Sequence, residues 1–363
     1  MPHHKTAAWP LSLAFIALIV YASLYPFTGW RDQDIPPWHY LLADWPRYWS
    51  GFDVMANTLG YLPLGFLLAL AILRTSHRAP VWLATLLAGV LSLLMESLQS
   101  YLPARVPSNV DLLLNVAGAW FGAILAALLE RMGAIARWHR WRARWFVADA
   151  QGALALLALW PVALLFPAAV PFGLGQVYER LETGLAGVLV NTPFLEWLPL
   201  RELELQPLVP GAEMVCVAMG AMVPCLLGFC VILAPARRIL LVLAVLIAGV
   251  VATLMSAAMS YGPTHAWAWL SLPVQTGIGL AAVLSLMLVP VPARVCASLM
   301  LLVLGIYLSI INMAPASAYF ANTLQTWEQG RFIRFHGVGQ WLGWLWPYGS
   351  LLYALSRVWS QPR

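Results

Sequence analysis

Charged residues are scarce in this sequence, and their scarcity excludes most classes of protein. Only 10% of the 363 residues are Asp, Glu, Lys or Arg, whereas a soluble globular domain has about 25%. Hydrophobic residues make up 61% of the chain, and its mean hydropathy is +0.77. This composition is too apolar for a soluble enzyme, a disordered tail or a nucleic-acid-binding module. A polytopic membrane protein is the class that remains.

Cysteine is also scarce. The four cysteines all lie inside apolar runs: Cys216, Cys225, Cys230 and Cys296. Their spacing fits neither a disulfide framework nor a zinc site, so we expect them to be buried core residues. The histidines of the predicted outer segments are scattered without metal-ligand spacing, and we predict neither a metal site nor a cofactor.

Long apolar runs dominate the rest of the sequence and predict an all-α membrane protein. A bilayer-spanning helix needs roughly 20 mostly apolar residues. Ten runs qualify: 7–27, 51–73, 80–102, 109–131, 149–170, 211–234, 238–261, 268–290, 293–313 and 337–357. The first run is long for the apolar part of a signal peptide, so we expect it to be retained.

The basic residues predict the orientation of the chain, because Lys and Arg concentrate in cytoplasmic segments. With the N-terminus inside, 13 of the 20 basic residues fall on the cytoplasmic side and 7 on the outer side, although the outer loops are longer. Arg outnumbers Lys by 19 to one, which is typical of a GC-rich bacterium. We therefore predict a multi-pass protein of the bacterial plasma membrane with both termini in the cytoplasm.

The chain is expected to divide into two membrane domains. Residues 132–148 form a basic, aromatic cytoplasmic linker between a four-helix domain, 1–131, and a six-helix domain, 149–363. The second domain has two long outer loops. Apolar residues at near-helical spacing predict a surface helix in 174–190 and another in 316–329, and alternation over 200–208 predicts a short strand.

Two predicted helices of the first domain share one polar signature, S-x-x-D-x-x-x-N-x-x-G. It consists of Ser50, Asp53, Asn57 and Gly60 in the second run, and of Ser108, Asp111, Asn115 and Gly118 in the fourth. Asp and Asn four residues apart share a helix face, and the glycine lets another helix approach closely. Gly65 and Gly122 extend this small-residue stripe. We predict that 7–73 and 80–131 are parallel repeats with a site between them.

The third run adds Glu96 and Gln99 on one helix face, and Arg105 follows in the next short loop. Glu96 lies about six residues from the outer end, roughly 9 Å deep at 1.5 Å per residue. A carboxylate at that depth normally faces a cavity or a partner, and Arg105 is the expected partner.

Each of the other residues also has a purely structural explanation. Ser and Asp at a helix start form a capping box, which accounts for Asp53 and Asp111 separately. Asn57 and Asn115 are also explained as interhelical hydrogen-bond partners, and Arg105 as an ordinary loop charge.

These residues follow the pattern of a known family. The motifs are Tyr21-Ala-Ser23-Leu-Tyr25-Pro26, Asn57-x-x-Gly60-Tyr-Leu-Pro63-Leu-Gly65, Glu96-x-x-Gln99, Arg105, and Asp111-x-x-x-Asn115-x-x-Gly118-x-x-x-Gly122. Through them, residues 10–130 resemble the VanZ-like family of bacterial membrane proteins. Many members carry an Asp-Lys pair and a His near the second span. Here Val54 follows Asp53 with no Lys or His nearby, so any role of those groups does not transfer.

The resemblance implies a link to glycopeptide resistance, notably to teicoplanin, whose fatty acyl chain suits a membrane-embedded receptor. One hypothesis is therefore a binder of a membrane lipid or amphiphilic envelope molecule. Its ligand-binding residues would be Asp53, Asn57, Glu96, Gln99, Arg105, Asp111 and Asn115. The charged side chains would contact the head group, and the Asn and Gln side chains would orient it.

The alternative hypothesis is a membrane-embedded acid–base hydrolase or transferase acting on an envelope lipid. Glu96 and Asp111 would be its catalytic pair, since two carboxylates in a low-dielectric site can acquire separated pKa values. The sequence favours the binder because no Ser or Cys stands beside a His in the polar cluster. A secondary transporter is a third option, weakened because the charges lie near one face of the membrane.

Overall fold

The structure is a computed structural model that describes most of the chain. The described residues are 8–25, 27–45, 51–75, 79–103, 105–166, 168–197, 208–314 and 333–359. The helix expected in 316–329 and nearly all of the strand expected in 200–208 lie outside these ranges.

The described residues form twelve α-helices, connected by loops and three short 3-10 helices. The helices are α1 (Ala8–Leu24), α2 (Gly51–Thr75), α3 (Pro80–Gln99), α4 (Asn109–Arg131), α5 (Ala134–Trp145), α6 (Gln151–Leu164), α7 (Tyr178–Leu189), α8 (Pro210–Phe229), α9 (Pro235–Tyr261), α10 (Leu272–Met287), α11 (Ala293–Ile311) and α12 (Ile333–Trp359).

Each of the ten predicted spans coincides with a helix, and the all-α polytopic class is confirmed. Six helices are long and apolar enough to cross a membrane: α2, α3, α4, α8, α9 and α11. Three others are apolar but shorter, namely α1, α6 and α10. Of the remaining three helices, α12 covers the tenth predicted span. The short helices α5 and α7 fall in the basic linker and in the first long loop, where α7 matches the helix expected in 174–190.

The chain separates into two compact units, residues 1–140 and 141–363. In the second unit, α8 is the most deeply buried of the long apolar helices, and all four cysteines lie in the interior, as their apolar surroundings predicted. In the first unit, α1 to α4 enclose a core that includes Leu64, Leu68, Ala88 and Ala123. This four-helix unit contains the polar signature residues.

The second unit contains a long irregular segment, residues 168–177, whose first part was expected to continue the fifth span. Helix α6 ends at Leu164, and the side chains of Phe172 and Leu174 are nevertheless buried. The hydroxyl oxygen of Tyr307 lies 3.0 Å from the backbone oxygen of Phe172 and 2.8 Å from that of Leu174, so its single proton is shared between them. Non-helical backbone is tolerated at membrane depth only where protein or a water-filled cavity satisfies it.

Helices α2 and α4 form the closest helix pair of the first unit. A Cβ placed on Gly118 would overlap the carbonyl oxygen of Thr58, and one on Gly122 would overlap that of Leu62. Gly65 of α2 faces the backbone of Ala119 in the same way. The predicted small-residue stripe is therefore a backbone-to-backbone contact. Gly60, the counterpart of Gly118 in the repeated signature, has no atom near its Cβ position among the described residues.

This difference between equivalent glycines gives a matched pair of substitutions. Gly118→Ala should lower the free energy of unfolding by about 1–3 kcal/mol, because the added methyl meets backbone that cannot rotate away. Gly60→Ala should be neutral or slightly stabilising, since alanine favours helix over glycine. Thermal unfolding in detergent measures both. Equal melting temperatures would contradict the close contact.

Candidate functional site

The signature residues gather where α1 and α3 end and α2 and α4 begin. We call this end of the first unit the polar end. Its centre is the N-terminus of α4, where Ser108 is the N-cap residue. The hydroxyl oxygen of Ser108 accepts hydrogen bonds from the backbone N–H groups of Val110 and Asp111 at 3.2 and 3.4 Å. The structural explanation of the fourth-run serine is therefore correct.

Glu96 completes this cap from a different helix. Its Oε2 accepts the backbone N–H of Ser108 at 3.0 Å, although Glu96 belongs to the last turn of α3. In a capping box, the side chain three residues after the cap supplies that acceptor. Glu96 is only 4% exposed, and its charge lies at the positive end of the α4 dipole. A buried carboxylate thus joins α3 to the start of α4.

Asp111, which is the third residue of α4, bonds across to α2. Its Oδ1 accepts a hydrogen bond from Nδ2 of Asn57 at 2.7 Å. A symmetrical repeat would pair Asn115 with Asp53 in the same way. Asn115 instead donates through Nδ2 to the hydroxyl oxygen of Ser92 in α3 at 2.9 Å. The two copies of the signature therefore make different contacts.

Gln99 and Arg105 act on the end of α1. Gln99 donates through Nε2 to the carbonyl oxygen of Ser23 at 3.1 Å. Nη2 of Arg105 donates to the carbonyl oxygens of Tyr25 and Ala22 at 2.8 and 3.3 Å. The last carbonyls of a helix have no partner within the helix, and a cation is favourable there. The expected pairing of Arg105 with Glu96 stays a prediction.

The loop between α1 and α2 lies against the polar end. Tyr40 is 4% exposed, and its hydroxyl lies 3.4 Å from the carbonyl oxygen of Leu93 and 3.5 Å from the hydroxyl of Ser97. Burial raises the pKa of Tyr40, and the nearby charge of Glu96 raises it further, against the opposing effect of the Ser97 hydrogen bond. Tyr40 therefore remains a neutral hydroxyl beside the Glu96 carboxylate.

Asn109 also contacts this loop, close to Tyr40. Its Nδ2 donates to the carbonyl oxygen of Ala43 at 2.7 Å.

Six of the seven predicted ligand-binding residues thus make hydrogen bonds to other segments of the first unit. Asp53 lies in the first turn of α2 and is exposed. Sequence reasoning missed Ser92 and Tyr61, both buried in the first unit. Their positions carried a signal, because Ser92 precedes Glu96 by four residues and Tyr61 follows Asn57 by four. In the described ranges, no three His, Cys, Asp or Glu side chains come together as metal ligands.

The fold and the polar end define a polytopic helical membrane protein with a polar site at one end of a four-helix unit. Residues 7–130 match the VanZ-LLP1 family model, described as VanZ/LLP1. The first third of the chain is therefore a VanZ-like domain, and the predicted family is confirmed for these residues. Searches of the curated proteins and of the solved structures found no match to the chain.

The contact of Arg105 with α1 predicts a stability effect. Arg105→Ala should lower the free energy of unfolding by about 1.5–3 kcal/mol, the usual worth of a hydrogen bond to a charged group. Arg105→Lys should recover part of the loss. The control is Arg31→Ala, which removes the same charge from an exposed side chain of the preceding loop. If the two alanine variants melted at the same temperature in detergent, the bonds to α1 would contribute nothing.

Proposed function

We propose that the polar end faces the outside of the bacterial plasma membrane and binds the head group of an amphiphilic envelope molecule. The distribution of basic residues supports this orientation, because it predicts that the opposite ends of α1 to α4 lie in the cytoplasm. Both termini then lie in the cytoplasm. The acyl part of the ligand would stay in the bilayer against apolar surface, such as the exposed Leu86, Leu87 and Leu94 of α3.

The observation that carries this proposal is the convergence of polar groups from three helices, of which Glu96 is buried and Asn57 and Asp111 are half-buried. Glu96, Asp111 and Asn57 belong to α3, α4 and α2, and hydrogen bonds at the start of α4 connect them. Carboxylates within a membrane domain are costly and generally face a cavity, a pathway or a partner. Capping the backbone N–H of Ser108 requires only one acceptor. The polar end contains three carboxylates, namely those of Glu96, Asp111 and the exposed Asp53.

The contacts suggest different tasks for the predicted site residues. Asp53, Glu96 and Asp111 carry the charge that meets the head group, and Asn57 and Asn115 orient the carboxylates and the neighbouring hydroxyls. Gln99 and Arg105 act as positioning residues, since both donate to the end of α1. In this arrangement, loss of Arg105 would affect binding by displacing α1.

The ligand class can be tested by mass spectrometry of lipids that copurify with the protein. The wild type should retain a specific amphiphile that Glu96→Ala loses, because the alanine removes both the charge and the acceptor for Ser108. Glu130→Ala is the matched control, since Glu130 is an exposed acid near the other end of α4. Identical lipid profiles for wild type and Glu96→Ala would refute binding at this site.

Glu96→Gln separates the binder from the alternative enzyme. The amide keeps an acceptor for Ser108 and nearly the same shape but cannot exchange a proton. Retention of the amphiphile without any chemical change would support the binder. If the wild type chemically converted an amphiphile that Glu96→Gln bound but left unchanged, the acid–base hydrolase or transferase would be favoured.

The VanZ-like domain supports a cellular role in which the protein lowers sensitivity to lipoglycopeptide antibiotics such as teicoplanin. Expression in a suitable susceptible host should raise the inhibitory concentration of teicoplanin. The double variant Glu96→Ala, Asp111→Ala should abolish this increase while accumulating in the membrane to the same level. If the double variant raised the inhibitory concentration as much as the wild type does, the polar end would not be responsible for resistance.

A further inference from the structure

Helix α5 is strongly basic, and its charge is not neutralised by the described part of the chain. Its residues, Ala134–Trp145, include four arginines and no acid. No Asp or Glu occurs between Arg131 and Ala148, and Asp149 beyond them is paired with Arg357. None of the four arginine side chains forms an ion pair within the described ranges. The four are Arg137, Arg140, Arg142 and Arg144.

The same helix has an aromatic side, which we call the tryptophan face. Trp138, Trp141 and Trp145 are three and four residues apart and therefore lie on one side of the helix. Trp138 is 56% exposed and Trp141 is 41% exposed, and no residue of α5 is buried. The arginines flank this face, with Arg137, Arg140 and Arg144 on one side of it and Arg142 on the other.

The turn before α5 places the helix at the end of a membrane span. Helix α4 is long and apolar enough to cross a membrane and ends at Arg131. Gly133 follows with a φ of +66°, the left-handed conformation that glycine adopts readily after a helix. Its N–H donates to the carbonyl of Glu130 at 2.9 Å, and its carbonyl accepts the N–H of Arg137 at 3.0 Å. Because only Met132 and Gly133 separate the two helices, α5 starts at the membrane boundary that α4 reaches.

The last turn of α5 is held by the loop before α9. The carbonyl of Trp145 accepts the N–H of Leu233 at 3.1 Å, and the N–H of Val147 donates to the carbonyl of Val231 at 2.9 Å. The guanidinium of Arg237 lies over the Trp145 ring, 4.8 Å from its centre. Trp145 is therefore partly covered, and the rest of the tryptophan face stays exposed.

The chemistry of these side chains matches the surface of a lipid bilayer. An indole ring prefers the head-group layer, where its apolar part is buried and its N–H stays hydrated. An arginine can lay its apolar stem along the same layer and direct its guanidinium at a lipid phosphate. Arginines would also attract a nucleic acid, but a helix that begins two residues after a span has the bilayer as its immediate neighbour.

We propose that α5 lies along the membrane surface with its tryptophan face in the head-group layer, and that its arginines bind anionic phospholipid. The lipid supplies the negative charge that the described part of the chain does not. In the orientation proposed above, this surface is the cytoplasmic leaflet, where anionic lipid attracts basic segments next to membrane helices.

The charge part of this inference is tested by lipid preference. Purified full-length protein in mixed micelles receives equal amounts of phosphatidylglycerol and phosphatidylcholine with the same acyl chains, and native mass spectrometry measures the ratio of the two complexes. The wild type should bind phosphatidylglycerol about tenfold better, because each arginine near the lipid surface strengthens the binding of anionic lipid. The triple variant Arg137→Gln, Arg140→Gln, Arg144→Gln should lose most of this preference.

The matched control is the triple variant Arg137→Lys, Arg140→Lys, Arg144→Lys. It keeps all three charges and should keep the preference within about twofold. Both triple variants should melt like the wild type in detergent without added lipid, since these arginine side chains have no ion pair in the described structure to lose.

The position of α5 is tested with nitroxide labels, one protein at a time. The four native cysteines are buried, so a cysteine introduced on α5 can be labelled selectively. Trp141→Cys places the label on the tryptophan face, and Ala143→Cys places it on the opposite, exposed side of the same helix. In vesicles of phosphatidylglycerol and phosphatidylcholine, a water-soluble nickel complex should reach the label at 141 several-fold less than the label at 143.

Three outcomes would overturn the inference. The first is equal binding of the two lipids by the wild type, or an unchanged preference in the glutamine variant. The second is loss of the preference in the lysine variant, since charge would then not be what binds the lipid. The third is equal access of the nickel complex at 141 and 143, which would leave the tryptophan face to a protein partner. None of them bears on head-group binding at the polar end, which lies at the other end of α4.

Discussion

The backbone contact between α2 and α4 is the constraint on which the first unit depends. Where Gly118 and Gly122 meet the carbonyls of Thr58 and Leu62, neither helix can slide or rotate without steric overlap. This contact sets the register of the pair, and the register brings Asn57 beside Asp111. The polar chemistry of the unit is therefore positioned by residues that have no side chain.

The same contact explains why the repeated signature does not produce a symmetrical site. Of the two equivalent signature glycines, Gly118 is packed against backbone and Gly60 is not. Asn57 of α2 donates to Asp111 of α4, whereas Asn115 donates to Ser92 of α3. The same sequence pattern on α2 and α4 therefore makes different hydrogen bonds on each helix. Asymmetry of this kind creates one distinctive polar end with groups at two depths.

Composition and hydropathy were enough to predict the class of fold and the approximate position of every long helix. The convergence of Glu96, Asp111 and Asn57 was also predictable, because their spacing placed them on facing sides near the same helix ends. The contacts of Arg105 with α1 were not predictable, because a sequence shows where a charge is but not which backbone carbonyls lie within its reach. Ser92 and Tyr61 were missed because a serine or tyrosine in an apolar run looks like ordinary helix surface.

The irregular segment 168–177 could not be predicted from hydropathy either, because hydropathy reflects how apolar the side chains are and not whether the backbone is helical. It has a consequence for the order in which the protein is made. The carbonyls of Phe172 and Leu174 are bonded by Tyr307, and the N–H of Val177 donates to Oδ1 of Asn312 at 3.0 Å. Tyr307 and Asn312 are both synthesised more than 130 residues after the groups that they bond. Before α11 and Asn312 have been synthesised, these backbone groups lack these hydrogen-bond partners. The second unit can therefore complete its packing only late in translation, after α11 has been synthesised.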